Sequence, residues 1–107
     1  FERLRNELLR EAGLPYAAFE RRGLMLPVIE AVCRYHAPAT YDDLLTIAGW
    51  VAEVKGPRLI IMCEVRRGEE LLASGHTVHA CVAIATRRPV RPPPELTALV
   101  GAAPAMP

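Results

Sequence analysis

Arg58-Leu59-Ile60-Ile61-Met62-Cys63-Glu64-Val65-Arg66, the connection Arg67-Gly68-Glu69, and the run from Glu70 through Ser74-Gly75-His76-Thr77-Val78-His79 together decide the fold class. Side chains alternate across an extended chain, so Leu59, Ile61, Cys63 and Val65 share one face of a strand. Three residues cannot carry the chain back for a parallel crossover, so the two runs form an antiparallel hairpin. The second run is predicted to continue over residues 70–85 as one long, curved strand. Ser74-Gly75 is where a bend or bulge is expected.

Working toward the N-terminus, residues 44–54 form another strand, broken by Lys55-Gly56-Pro57, which completes a three-strand meander. Residues 26–35 are rich in β-formers and read as a further strand. Pro27 belongs near its start or on an edge, because proline donates no ladder hydrogen bond. Residues 37–43 are a turn. At the front of the chain Phe1, Leu4, Leu8 and Ala12 follow helical spacing, and Leu9 widens the stripe. Gly13 suits the residue just past a helix end, and Pro15 prevents continuation. Residues 16–22 make one or two more helical turns, closed by Gly23. After Thr86 the pattern decays into Arg87, Arg88, Arg91 and the run Pro92-Pro93-Pro94. Residues 95–100 allow a helical turn, and residues 101–107 have no periodic signal. The expected architecture is α+β, a long helix covering the apolar face of an antiparallel sheet.

A length of 107 residues suits one domain, and a domain this small gains from oligomerisation. With 51% hydrophobic and 23% charged residues the chain has the balance of a soluble globular protein. A formal net charge of +1 argues against nucleic acid as a partner, and no apolar stretch is long enough to span a bilayer. Cys33, Cys63 and Cys81 are odd in number and widely spaced, which fits reduced thiols in the cytoplasm. No CxxC or HExxH spacing supports a metal site, and no cofactor is expected.

Several segments resemble one family. Residues 1–5 and 8–16 look like the central helix, and its exit, of bacterial acyl-CoA thioesterases of the YbgC and 4-hydroxybenzoyl-CoA thioesterase type. Leu26-Pro27-Val28-Ile29-Glu30 with Cys33-Arg34-Tyr35 is similar to the strand that follows. Residues 37–47 resemble the turn into the meander, residues 75–82 the long strand, and residues 88–93 the exit. The resemblance implies the hotdog fold, an antiparallel sheet wrapped round a long helix, over residues 1–96, with residues 97–107 as a tail. It implies an acyl-CoA substrate and a homo-oligomer, either a dimer or a dimer of dimers, with active sites between protomers. It places the catalytic Asp, and the helix start that faces the thioester carbonyl, upstream of Phe1. The chain is therefore expected to begin inside the helix, and no catalytic residue is assigned within it. The resemblance also implies coenzyme A phosphate contacts at Lys55 and Arg58, and an acyl pocket lined by Pro27, Val28 and Glu30.

Lys55 and Arg58 flank an exposed turn, where cations pair with phosphate without deep burial. An ordinary solvated hairpin is the plainer reading. Arg87, Arg88 and Arg91 form a second basic cluster. Glu30, in an apolar strand, is a substitute base if buried. Alternation otherwise turns it to solvent or to an ion pair. His76 and His79 differ by three positions, so one faces the core and the other the rim. His36 lies at a turn. Asp42 and Asp43 are adjacent and diverge, which suits a turn better than an acid pair. Trp50 is expected to pack. Two other classes remain. One is a hotdog module that binds acyl-CoA or a protein partner without hydrolysis. The other is a hotdog dehydratase, which would want a helix histidine that residues 1–13 lack.

Overall fold

A computed structural model of the chain describes residues 2–38, 40 and 44–101. Asp42 and Asp43, and residues 102–107 of the expected tail, lie outside the described residues.

The first helix, α1 (Glu2–Glu11), stops where its chemistry requires. Gly13 N–H donates to the Arg10 carbonyl at 2.9 Å and Leu14 N–H to the Leu9 carbonyl at 2.9 Å. That pair of bonds is a Schellman motif, and it needs the left-handed backbone that Gly13 adopts at φ 74°. Leu9 and Leu14, the positions whose apolar contact accompanies that motif, are both buried in the same core cluster. Pro15 opens α2 (Tyr16–Arg21), whose Phe19 is fully buried.

Among the described residues six strands follow: β1 (Leu24–Met25), β2 (Val28–Tyr35), β3 (Thr46–Lys55), β4 (Arg58–Arg67), β5 (Glu70–Ala80) and β6 (Val82–Ala83). A short helix, α3 (Pro94–Thr97), comes last. The larger sheet has the order β2-β5-β4-β3 with every pair antiparallel, so the meander is present and the earlier strand joins it at β5. β1 and β6 pair separately as a two-stranded sheet.

One expected strand forms and another is split. β2 takes residues 28–35 of the expected 26–35 and begins after Pro27, which has no N–H to give the ladder, while Leu24–Met25 ahead of it pair with β6. The strand expected over residues 70–85 ends at Ala80. There Cys81 N–H is taken by the Pro57 carbonyl at 2.8 Å, and the chain is redirected into β6. Register shifts occur at Val28/Glu30, Val51/Glu53 and Val65/Arg66 rather than at Ser74-Gly75. Gly75 serves close approach instead, since a Cβ there would lie 2.2 Å from the Val32 carbonyl oxygen.

The core lies between α1 and one face of the larger sheet, where Leu8 and Leu9 meet Val51, Leu59, Ile61 and Cys63, with Leu14 and Phe19 adjoining. The fold reaches past the boundary expected after Leu96. That residue is buried inside α3, and Leu99 packs on the same cluster.

Candidate functional site

The β3–β4 hairpin turns through Gly56 at φ 57°, with Lys55 opposite Arg58 in register. Both cations are exposed, and among the described residues neither has an ion-pair or side-chain hydrogen-bond partner. Backbone bonds bring a second basic segment alongside. Cys81 N–H reaches the Pro57 carbonyl, Val90 N–H reaches the Cys81 carbonyl at 2.8 Å, and Ala83 N–H reaches the Arg88 carbonyl at 3.0 Å. Arg88 and Arg91, exposed, therefore run beside the turn that carries Lys55 and Arg58. The result is a basic rim built from two segments far apart in sequence. Exposed cations of this kind can pair with phosphate at small desolvation cost, because they stay largely hydrated.

Of the residues expected to line an acyl pocket, Pro27 and Val28 stay together while Glu30 is turned to the other face. Pro27 and Val28 are exposed at the start of β2. The register shift between Val28 and Glu30 sets Val28 against His79 on the core side and Glu30 against Val78 on the opposite side. Strict alternation would have put Val28 and Glu30 on one face, and the extra residue of the bulge separates them. The Glu30 side chain is 61% exposed, with Oε1 3.8 Å from His76 Nε2. It is thus placed at the surface near an imidazole, not in a buried position suited to a general base.

His79 is the histidine that faces the core, at 1% exposure. Its Nδ1 lies 3.3 Å from the Leu26 carbonyl and its Nε2 lies 2.8 Å from Thr77 Oγ1. A carbonyl only accepts, so Nδ1 carries the proton and Nε2 accepts from the threonine hydroxyl. Desolvation by burial lowers the His79 pKa, and the nearby Arg5 charge lowers it further, against the opposing pull of the Leu26 hydrogen bond. Arg5 Nη1 donates to the same Leu26 carbonyl at 3.3 Å, and its guanidinium lies over the Tyr16 ring at 4.6 Å. The junction between β1 and β2 is therefore held by side chains from α1, α2 and β5. Sequence reading missed this node. The available signal was the two-residue spacing of Thr77 and His79, which puts both on one strand face.

His36 Nε2 lies 2.8 Å from Ser74 Oγ at the exposed end of β2, and no carboxylate among the described residues orients that imidazole. Burial raises the thiol pKa of Cys63 and of Cys81, which keeps both protonated and poorly nucleophilic. Trp50, half-buried, lies in β3 on the face away from α1, opposite Met62.

The sequence profile of the thioesterase-like superfamily matches residues 1–100. The acyl-CoA thioesterase YbgC of Haemophilus influenzae is 31% identical over 99 residues, covering 92% of this chain and 73% of that protein. Among solved structures, the hypothetical protein TT1821 of Thermus thermophilus superposes with a TM-score of 0.79 at 33% identity, over 89% of this chain and 75% of its own. The DHNA-CoA thioesterase of Staphylococcus aureus superposes with a TM-score of 0.75 at 26% identity, over 85% of this chain and 62% of its own. The chain spans between 64% and 73% of the length of the curated relatives it matches.

Proposed function

The chain belongs to the thioesterase-like superfamily and has its hotdog fold, and on that premise we propose that it hydrolyses an acyl-CoA thioester to a carboxylic acid and free coenzyme A. The observation that carries this reading is the match of the superfamily profile over residues 1–100.

The chemistry requires a carboxylate and an oxyanion site. A carboxylate takes a proton from water as the water oxygen attacks the thioester carbonyl, and the coenzyme A thiolate leaves and is protonated. Backbone N–H groups at a helix start stabilise the developing oxyanion, because they are unpaired and lie at the positive end of the helix dipole. We assign the carboxylate to an Asp upstream of Phe1, on the family resemblance. Lys55 and Arg58 hold the coenzyme A phosphates, with Arg88 and Arg91 beside them. Pro27 and Val28 line the acyl site at the open edge of β2, where a second copy of the chain completes it. This makes the working unit a homodimer or a dimer of dimers. Tyr35, 84% exposed near the end of that edge strand, fits a surface covered by a partner. No described helix is long and apolar enough to cross a membrane. The free thiols of Cys33, Cys63 and Cys81 support a cytoplasmic setting.

A module that holds acyl-CoA or a protein partner without cleaving it is the second reading. It is favoured by one observation, that Glu30, the carboxylate considered as a base, is exposed rather than buried.

The role of the rim is tested with paired substrates. The double variant Lys55→Ala/Arg58→Ala is expected to raise KM for an acyl-CoA about tenfold with kcat unchanged, the behaviour of lost uniform binding. Hydrolysis of the matching acyl-pantetheine, which lacks the nucleotide phosphates, is expected to be unaffected. Equal KM values for wild type and variant on acyl-CoA would remove Lys55 and Arg58 from the site.

A further inference from the structure

The face of the larger sheet turned away from α1 opens into a groove of about 240 Å³ that thioester hydrolysis does not use. Val32 and Arg34 of β2 line one side, Met62 of β4 lines the other, and Ser74, Gly75 and His76 of β5 lie between. Register orders the side chains into two rows. Arg34 stands opposite Ser74, and Ser74 opposite Glu64, a polar row. Val32 stands opposite His76, and His76 opposite Met62, a half-buried and mainly apolar row.

The charges around the groove do not cancel evenly. Arg34 is exposed, and among the described residues its guanidinium has no ion-pair or side-chain hydrogen-bond partner. Glu64, across from Ser74, is neutralised by Arg66 at 2.7 Å. Glu30 lies past the apolar row, with Oε1 3.8 Å from His76 Nε2. The polar row therefore carries one uncompensated positive charge, while the far side of the apolar row faces a carboxylate. Ser74 adds a donor. Its Oγ lies 2.8 Å from His36 Nε2. When that nitrogen carries the proton it donates to Oγ, and the hydroxyl hydrogen is left for a ligand.

We propose that this groove binds a small organic monocarboxylate, its carboxylate held by Arg34 and Ser74 and its apolar body laid over Val32 and Met62. A guanidinium fork matches the two oxygens of a carboxylate. Successive same-face positions on a strand are roughly 7 Å apart, so an aromatic ring or short alkyl chain reaches from the polar row onto the apolar one. The volume lies below the roughly 300–1,000 Å³ of sites for drug-sized ligands, which limits the acid to a small one. Inorganic phosphate has no body to cover Val32 and Met62. A dicarboxylate would carry its second charge toward Glu30. The acid released by the proposed hydrolysis falls in the same class, a link that rests on that reading and that binding in the groove does not need.

The test is titration of the full-length protein with benzoate and with hexanoate, followed by backbone amide shifts, with circular dichroism to confirm that variants fold. Saturable binding with Kd below about 1 mM is expected, with the shifts concentrated at residues 32–34 and 74–76. Arg34→Gln is expected to weaken binding at least about tenfold, and Ser74→Ala about fivefold. Inorganic phosphate is expected to bind at least about tenfold more weakly than benzoate, for want of apolar contact. The proposal is overturned if neither acid moves those amides, if folded Arg34→Gln binds as wild type does, or if phosphate binds as tightly as benzoate. It is equally overturned if the shifts fall only at the start of β2 and the Lys55–Arg58 turn, which would put the acids in the acyl site. No outcome depends on hydrolysis, so the proposed activity stands or falls separately.

Discussion

A buried imidazole with both nitrogens engaged makes His79 the residue whose titration reports on the fold. Its folded pKa lies below the usual imidazole value of 6.5, first because burial disfavours the cation and then because Arg5 is close. The sign follows directly. Above the unfolded value both states are neutral and the stabilisation is fully present. As pH falls below that value the unfolded chain binds a proton that the folded chain refuses, and stability is lost. The urea midpoint of the wild type is therefore expected to fall more between about pH 7.5 and about pH 5 than that of His79→Gln, which keeps a donor and an acceptor but cannot charge. Identical pH slopes would remove His79 as a source of acid sensitivity. That one of His76 and His79 faces the core was legible, because period-two alternation separates positions three apart. The separation of Val28 from Glu30 was not, because the bulge between them is set by pairing with β5 and leaves no mark on local hydrophobicity.

At the scale of elements, punctuation was read well where one residue type has one use. Gly13 and Pro15 end α1 as expected, because a left-handed residue followed by proline leaves few alternatives. Gly75 shows the other case. A glycine within a strand marks either a bulge or a close approach, and only the position of β2 distinguishes them. Gly75→Ala would drive a Cβ against the Val32 carbonyl, a backbone atom that moves only with its strand. The substitution is expected to cost about 1–3 kcal/mol, the range for overpacking, and to raise amide exchange selectively along β2 and β5. Unchanged stability would mean that the two strands do not approach as described. The early end of β5 was hidden for a related reason, because it is decided by the hydrogen bond from Cys81 N–H to the distant Pro57 carbonyl.

At the scale of the whole molecule, the α+β class, the antiparallel meander and the helix cover were legible from periodicity and short connections, because a sheet with one apolar face requires a cover. The candidate site was legible only in part. Lys55 and Arg58 announce themselves as an exposed basic turn. Their convergence with Arg88 and Arg91 depends on the bonds of Cys81, which no local pattern records. The exposed edge of β2 is the surface on which the proposed second copy would complete the acyl site, and a single chain's sequence does not record that pairing. The most direct measurement is release of free thiol from a panel of acyl-CoAs, varied in chain length and aromaticity, by the folded full-length protein. Turnover above the uncatalysed rate, proportional to enzyme and selective among acyl groups, is the expected result. Acyl-CoA bound without any thiol released, across the panel, would contradict the hydrolase and leave a binding module in its place.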